Sequence, residues 1–325
     1  MSDQDTAQIV VLPVVFHIIH QNGPENISDD RIHRALEYLN NAFAHSGEYA
    51  QNGPGADVKL QFCLARRDPN GAPTTGITRT ESPLTNVLVD PDDLMLKNLV
   101  RWDPLHYINI WVVNSIGSSA PPGGIAYLGY ATLPYAVGSE RDGIVMVANY
   151  TGVDNSGANS VLAHEMGHYL GLYHTFEGGC LNDNCLTQGD RVCDTPPDQG
   201  TFTACTFNSC HTDADAPAPN PFSADTLDMT DNFLDYSPQQ CRNRFTEGQA
   251  ERMRNVVITR RFKLTESPAC LEACFSGITA AIAPSSTVTM QVADTLFLQN
   301  LSQNAEQYTW YVNGIVTAQT VSFHF

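Results

Sequence analysis

Three histidines, a glutamate and Gly171 are closely spaced in the run His164-Glu165-Met166-Gly167-His168-Tyr169-Leu170-Gly171-Leu172-Tyr173-His174. On a helix, His164 and His168 are four residues apart, so both project from one face and can reach one metal ion. The glutamate between them can reach a water at the open fourth position and act as a general base. Gly171 can adopt the left-handed conformation that ends a helix, which brings His174 back as a third ligand.

Two simpler interpretations compete with a working site. A bare His-Glu-x-x-His pattern also describes ordinary surface histidines on a helix, and a degenerate site that has lost activity can keep the longer pattern. The added glycine and third histidine make the pattern far more specific. The sequence therefore predicts a zinc site made of His164, His168 and His174, with Glu165 as the catalytic base. Histidines outside the motif, such as His17, are expected to be core or surface residues.

The elements that must hold this motif follow from the hydrophobic pattern of the first half of the chain. Residues 9–19 form an apolar run with little alternation, which is typical of a strand buried on both faces. Residues 31–43 have the apolar spacing of a helix that packs on a sheet, preceded by a capping segment. Further strands are predicted at 58–65, 107–113 and 144–148. The glycine-rich stretch 123–134 lacks the phosphate-binding pattern and is expected to form a loop and an edge strand beside a cleft.

Length and charge limit the class of protein. A chain of 325 residues can bury a full core and suggests two domains of unequal size. Its 35 acids and 17 bases give a net charge of -18, which argues against nucleic acid and anionic membranes as partners. No apolar stretch is long enough to span a membrane, and residues 1–5 lack the features of a signal peptide. A soluble, mature or trimmed form of a secreted protein is expected.

Nine cysteines indicate an oxidising compartment. Six of them crowd into the loop-rich region after the motif, where thiolate ligands for zinc are the alternative to disulfides. No Cys-x-x-Cys pair occurs and three histidines already supply a site, so disulfides are favoured. Cys270 and Cys274 lie close together in the sequence and are expected to pair. Cys63, inside an apolar run, is expected to be a buried free thiol.

With these features, residues 9–262 resemble the pappalysin family of metzincin zinc metalloproteases, in particular its ulilysin-like secreted microbial members. The matching segments beyond the zinc motif are His174-Thr175-Phe176, Gly178-Gly179-Cys180, Asp194-Thr195-Pro196, Asn232-Phe233-Leu234-Asp235-Tyr236, Cys241 and Phe245-Thr246-Glu247-Gly248-Gln249. The resemblance implies an α+β fold with a twisted mixed sheet of α/β type, an active-site helix and an irregular, disulfide-rich lower subdomain. It also implies an endopeptidase that acts on proteins or peptides, for which we expect a monomer.

The resemblance assigns roles to further residues. Leu234 stands where the family has a methionine beneath the zinc; the two side chains are close in volume, so a hydrophobic floor should survive. Tyr236 matches a tyrosine that stabilises the oxyanion of the tetrahedral intermediate, whereas the alternative is a buried tyrosine with a satisfied hydroxyl. The glycine-rich edge strand implies that the substrate backbone is bound by Gly124, Ile125 and Ala126.

Disulfides and calcium in the lower subdomain are also implied by the resemblance. Cys180 would pair with Cys210 and Cys205 with Cys241, which leaves Cys185 with Cys193 as an additional small loop. Calcium is implied in this region, with Asp183, Asp190 and Asp194 as candidate ligands; solvated loop acids are the alternative. Some relatives prefer basic substrate residues through an acid beyond the tyrosine, but residues 237–240 are uncharged here, which puts that preference in doubt.

The C-terminal segment differs in character. Residues 278–325 contain almost no charge and alternate Val, Thr and aromatic residues, which is typical of the first strands of a PKD-like or immunoglobulin-like β-sandwich. We therefore expect a catalytic domain at 1–266 and a partial all-β module at 267–325. Two rival functions stay open at this point: a binding or adhesion module with a catalytically silent zinc domain, and a zinc hydrolase that acts on something other than protein.

Overall fold

The computed structural model describes residues 8–51, 53–117, 127–200 and 203–272, and the backbone of short strands between 282 and 324. Gly124, Ile125, Ala126 and Cys274 lie outside the described residues. The strands are β1 (Val10–His20), β2 (Leu60–Leu64), β3 (Ile77–Glu81), β4 (Asn86–Leu88), β5 (Ile108–Val113), β6 (Ser115–Gly117), β7 (Gly129–Ala131), β8 (Ile144–Val147), β9 (Ile282–Ala283), β10 (Phe297–Asn300), β11 (Trp310–Val312), β12 (Ile315–Ala318) and β13 (Ser322–His324). The helices are α1 (Asp29–Phe43), α2 (Val89–Leu99), α3 (Ser156–Tyr169), α4 (Glu247–Thr259) and α5 (Phe262–Glu266).

A mixed sheet with the order β2-β1-β5-β8-β7 forms the centre of the fold. The long strand β1 pairs in parallel with β2 along its first half and with β3 along its second half. On its other side lies β5, followed by β8, both parallel to it. Strand β7 closes this edge antiparallel to β8. The strands predicted near 9–19, 58–65, 107–113 and 144–148 and the edge strand within 123–134 are thus confirmed.

Both faces of the sheet are buried, as the continuous apolar run of β1 indicates. Side chains of β1, β5 and β8 that include Phe16, Ile110 and Met146 pack on one face against α1 and α3. Trp111 and Val145 point to the opposite face, where they pack with α2 and β4. Helix α3, which carries the zinc motif, is therefore held against a rigid sheet.

Helix α2 was not predicted from the sequence. The residues Asp90-Pro91-Asp92-Asp93 resemble a turn. Pro91 lies in the first turn of α2, however, where a missing N–H costs nothing. The short strands β3, β4 and β6 were also missed.

The apolar spacing of residues 246–262 predicts a single helix, but α4 ends earlier, at Thr259. Arg261 leaves the helical path to form a buried bidentate ion pair with Asp142, with two N···O distances of 3.0 Å. Its guanidinium also lies 3.4 Å from the ring centroid of Tyr169, the last residue of α3. The same spacing predicts a buried Phe262, which is instead exposed.

The segment from 170 to 246 has a different construction. Among its described residues, regular structure is limited to a 3-10 turn at Gln239–Cys241. Three disulfides cross-link it, as predicted: Cys180–Cys210, Cys185–Cys193 and Cys205–Cys241. This segment is the irregular, disulfide-rich lower subdomain.

Two cysteine predictions were wrong. Cys63 is bonded to Cys270, so Cys63 is not a free thiol and Cys270 does not pair with Cys274. The reason is spatial: Ala269 is fully buried against the sheet, and the backbone N–H of Arg66 donates to its carbonyl. Closeness in the sequence did not decide the pairing.

The C-terminal strands form antiparallel pairs. Strand β10 lies between β9 and β13, and β11 pairs with β12. The type of module that they belong to, PKD-like or immunoglobulin-like, stays a prediction. Among the described residues, no helix has both the length and the apolar character needed to cross a bilayer.

Candidate active site

Helix α3 directs two motif histidines toward one point. The helix begins where the side chain of Asn155 accepts a hydrogen bond from the N–H of Ala158. The Nδ1 of His164 donates to the carbonyl of Phe233 at 2.7 Å, and the Nδ1 of His168 donates to a carbonyl in the following turn at 2.8 Å. A proton on Nδ1 leaves the Nε2 lone pair free on each ring. These two Nε2 atoms lie 3.0 Å apart.

The third histidine arrives through a chain reversal at Gly171. This residue has φ 94°, and a Cβ there would lie 2.9 Å from a methyl carbon of Val256. A glycine is therefore required both by the backbone conformation and by the space available. After the turn, the Nε2 of His174 lies 3.0 Å from the Nε2 of His168. Its ring stacks on Phe176 with a centroid distance of 4.6 Å.

This donor set fits one zinc ion. The three ligand atoms all lie within 4.8 Å of one another, and within the described ranges no other group of three or more potential ligand residues converges in this way. Burial lowers the pKa of all three imidazoles, to about 3 for His174, with further lowering by their neighbours for His164 and His174. The rings are therefore neutral near pH 7, which is the state that binds a metal.

Glu165 lies in a dry position beside the histidines. Burial raises the pKa of its carboxyl to about 8, and the positive charge of Arg242 opposes the rise. The edge strand lies directly against it: a Cβ added to Gly129 would be 2.8 Å from the Cγ of Glu165 and 3.0 Å from the sulfur of Met146. The absence of a side chain at Gly129 is thus what gives the glutamate its space.

The turn that contains Leu234 closes the site from below. Leu234 is fully buried, and its side chain comes within 2.9 Å of where a Cβ on Gly167 of α3 would lie. Asn232 fixes the turn because its amide exchanges hydrogen bonds with the amide of Gln249 and also accepts one from the N–H of Leu234. The hydrophobic floor expected from the sequence is present.

Tyr236 lies at the mouth of the site. Its ring centroid is 4.6 Å from that of His174 and 5.7 Å from that of His164. Burial, followed by the negative charge of Glu165, raises the pKa of its hydroxyl. The residue is 38% exposed, so it is not a buried structural tyrosine.

The predicted calcium ligands do not come together at one point. The carboxylate of Asp194 caps α4 through Thr246 and Gly248, whereas that of Asp190 accepts hydrogen bonds from Val192 and Thr195. Asp183 is exposed. A different set of acids is buried together, in which Ser209 contacts both Asp198 and Asp228.

Two residues at this site, Gly129 and Arg242, were not predicted from the sequence. Gly129 lies in the stretch expected to form the edge strand, but the residues singled out there were Gly124, Ile125 and Ala126. Arg242 directly follows Cys241, and only the fold brings it near Glu165. A lone cation after a cysteine carries no local signal that could have revealed it.

A His-Glu-x-x-His helix with a third histidine after a glycine turn, under the antiparallel edge of a mixed sheet, defines a zinc metalloprotease. The model of the peptidase family described as pregnancy-associated plasma protein-A (M43) matches residues 92–258. The chain therefore belongs to this family.

Known proteins with similar sequences are extracellular metalloproteases. The chain is 33% identical to one from Sordaria macrospora over 253 residues, which cover 74% of this chain and 72% of that protein. It is 30% identical to extracellular metalloprotease 1 of Coccidioides posadasii over 182 residues, which cover 54% of this chain but only 58% of the relative.

Among solved structures, mature mirolysin of Tannerella forsythia in complex with a cleaved peptide superposes with a TM-score of 0.66 at 29% identity. The match covers 82% of this chain and 99% of that one. The expected metzincin-like α+β fold is confirmed.

Proposed function

We propose that this protein is a secreted, monomeric zinc endopeptidase that hydrolyses peptide bonds within proteins. The observation that carries the proposal is the convergence of three neutral imidazole nitrogens beside the buried carboxyl of Glu165. Secretion is supported by four disulfides and by the extracellular relatives.

His164, His168 and His174 would hold the zinc. When bound, zinc is a Lewis acid that lowers the pKa of a water and polarises the scissile carbonyl. The carbonyl partners of the Nδ1 atoms of His164 and His168 keep those rings oriented and their Nε2 atoms free of protons.

Glu165 takes the proton of the attacking water and passes it to the leaving amine. Its dry surroundings favour this role, because a carboxyl with a raised pKa accepts and returns a proton near neutral pH. The hydroxyl of Tyr236 donates a hydrogen bond to the oxyanion that develops on the scissile carbonyl.

The substrate backbone would bind along the edge strand. The outer edge of β7 has no neighbouring strand among the described residues, so an extended peptide can pair with it. Gly124, Ile125 and Ala126, which precede β7, are proposed to continue this contact. A cleaved peptide is bound in the structure of mirolysin, which agrees with a peptide substrate here.

We also propose calcium as a stabilising ion of the lower subdomain, but move the proposed carboxylate ligands to Asp228 and Asp235, with backbone carbonyls and water completing the coordination. Burial, with repulsion from Asp198, raises the pKa of both Asp228 and Asp235 to about 6. One oxygen of each of these two carboxylates accepts no hydrogen bond from the described residues. A hard cation would supply the missing partner. The test is a thermal melt with and without calcium, in which Asp228→Asn should reduce the calcium-dependent shift.

The two-domain organisation also stays a proposal, with a changed boundary. Ala269 is fully buried and Cys270 is bonded to Cys63, so residues 267–272 complete the catalytic domain. We therefore place the boundary after residue 272 rather than after 266.

The deciding experiment compares the parent chain with Glu165→Gln on a mixed fluorogenic peptide library, with and without a zinc chelator. Glu165→Gln should keep one zinc per chain and lose about 10²–10⁴-fold in turnover, because only the proton transfer is removed. Glu251→Gln, an exposed glutamate on α4, is the matched control and should cleave normally. Normal cleavage by Glu165→Gln would contradict the assigned role. A parent that binds zinc but cleaves nothing would support a silent binding module instead.

A further inference from the structure

A single arginine lies beside the catalytic residues. Arg242 follows the 3-10 turn Gln239–Cys241, whose last residue is bonded to Cys205. Its Nε and Nη2 both donate to the carbonyl of Ser237, at 3.0 and 2.6 Å. The guanidinium is therefore fixed one residue beyond Tyr236, whose ring lies against two of the zinc ligands.

The guanidinium brings its charge close to the site, because the carbonyl that holds it directly follows Tyr236, whose ring centroid lies 4.6 Å from that of His174. Burial lowers the pKa of Arg242 itself, which means that the cation has lost part of its hydration.

This cation is incompletely compensated by the protein. Asp235 is the acid whose charge acts most strongly on it, yet within the described part of the chain Arg242 forms no ion pair. Its third nitrogen, Nη1, donates to no acceptor in that part of the chain. A neutral side chain could donate the same hydrogen bonds to the carbonyl of Ser237, so this contact does not explain why the residue is charged. A partly desolvated cation without an ion pair also costs free energy of folding. An anionic ligand of the site would offset that cost.

We propose that Arg242 is a specificity-determining residue that selects substrates with an acidic side chain close to the scissile bond. The proposal rests on the endopeptidase function proposed above. A substrate carboxylate would accept a charge-assisted hydrogen bond from Nη1 of Arg242, whereas a lysine or arginine at that place would be repelled. The preceding residues 237–240 contain no carboxylate to receive a basic side chain.

The test uses three capped peptides that differ in one central residue, Glu, Gln or Lys, in an otherwise uncharged sequence. Binding is measured to the zinc-loaded full chain with Glu165→Gln, so that no peptide is cut. The Glu peptide should bind about tenfold more tightly than the Lys peptide, the ratio expected for a single partly buried charge contact. Adding Arg242→Gln should make the affinities for the Glu and Lys peptides equal. Arg242→Glu should reverse the preference, and Arg242→Lys should retain most of it. Arg260→Gln, an exposed arginine after α4, is the control and should leave the ratio unchanged.

Two binding results overturn the proposal: equal binding of the Glu and Lys peptides, or a preference for Glu that survives Arg242→Gln. Cleavage of the same peptides by the active chain provides a second readout. If Arg242→Gln lowers kcat/KM by the same factor for all three peptides, the arginine only supports the loop, and the proposal also fails. A parent chain that cleaves none of them contradicts the endopeptidase function, while the binding ratio still decides the role of Arg242.

Discussion

The two halves of the active site are built on different principles. His164, Glu165 and His168 lie on a helix that packs on a sheet buried on both faces. Leu234 and Tyr236 lie in a segment with almost no regular structure, held by disulfides and by side chains that bond to the backbone. The free energy that stabilises the first half is spread over many apolar contacts. In the second half it comes mainly from a few disulfides and hydrogen bonds.

This difference has a practical consequence for stability. Removing one apolar contact weakens the sheet half slightly, because neighbouring side chains keep it ordered. Removing one cross-link in the irregular half frees a long loop, because none of the described residues between 173 and 232 belongs to the main hydrophobic core. The catalytic residues should therefore be lost from the irregular side first.

The change with the largest expected effect removes the disulfide whose loop contains Leu234 and Tyr236. Replacing Cys205 and Cys241 by serine frees a loop of 36 residues, which should cost about 2–4 kcal/mol. Activity should fall strongly, while the far-ultraviolet circular dichroism of the sheet and helices is retained. Urea unfolding and peptide cleavage measure the two effects.

The matched control replaces Cys185 and Cys193, which close a loop of only 8 residues and should change stability less. Loss of the whole fold in the Cys205 and Cys241 variant would show that the two halves are not separable. Unchanged activity would show that the disulfide does not hold the site.

The second test concerns acid sensitivity of the sheet half. His17 is fully buried and neutral: it accepts from the hydroxyl of Thr78 and donates to the side-chain oxygen of Asn109. Burial lowers its pKa from 6.5 to about 4. Above pH 6.5 the ring is neutral in both states and contributes nothing. Between pH 6.5 and 4 the unfolded chain takes up a proton that the folded chain excludes. The free energy of unfolding therefore decreases as the pH is lowered, by up to about 3 kcal/mol.

This loss is measured as the free energy of unfolding against pH, in the presence of a chelator so that zinc release does not contribute. His17→Gln should reduce the slope between pH 6.5 and 4 without removing it, because the three motif histidines, whose pKa values are also lowered by burial, contribute to the slope in metal-free protein. His33→Gln, on the exposed side of α1, is the control. An unchanged slope in His17→Gln would place the acid-sensitive group elsewhere.

The irregular half should respond to pH in the opposite sense. Burial raises the pKa of Asp190 from 3.8 to about 7. Between these values the unfolded chain is ionised while the folded carboxyl keeps its proton, so in metal-free protein this group lowers stability as pH rises from 4 to 7. Hydrogen-exchange protection that changes with pH in opposite directions in the two halves would support this difference. Changes in the same direction would contradict it.

The third test lies where the sheet meets the catalytic carboxylate. Gly129→Ala places a methyl group 2.8 Å from the Cγ of Glu165, which must shift. We expect a loss of about 10–100-fold in kcat with unchanged zinc content, because a displacement of the base costs rate without removing a ligand. Ala131→Val, elsewhere on β7, is the control. Unchanged kcat in Gly129→Ala would show that the strand does not fix the position of Glu165.

Local spacing predicted the zinc motif and the main elements, because a helix places residues four apart on one face and apolar runs report burial. Contacts between distant segments were not predictable in this way. Cys63 and Cys270 are 207 residues apart in the sequence, and Gly129 reaches Glu165 only through the order of strands in the sheet.

The acids of the lower subdomain show the same limit. Asp194 belongs to a cluster of loop acids in the sequence, yet its carboxylate caps α4, more than fifty residues later. Spacing among loop residues does not determine which carboxylates face one another, since no repeating geometry relates them. Patterns therefore predicted the half of the site that is built on a helix better than the half built on loops.

The substitution with the smallest expected effect tests whether the irregular half needs leucine, and not methionine, at position 234. Leu234→Met restores the sulfur that the family places beneath the zinc, and the two side chains are close in volume. Because Leu234 is fully buried against Gly167, the change should alter stability by less than about 1 kcal/mol and leave kcat within about twofold. Leu234→Ala should instead cost about 2–5 kcal/mol by opening a cavity below α3. Thermal melts and peptide cleavage measure both variants. A large gain of activity in Leu234→Met would mean that the sulfur has a role beyond filling space, and the floor would then belong to the chemistry of the site as well as to its support.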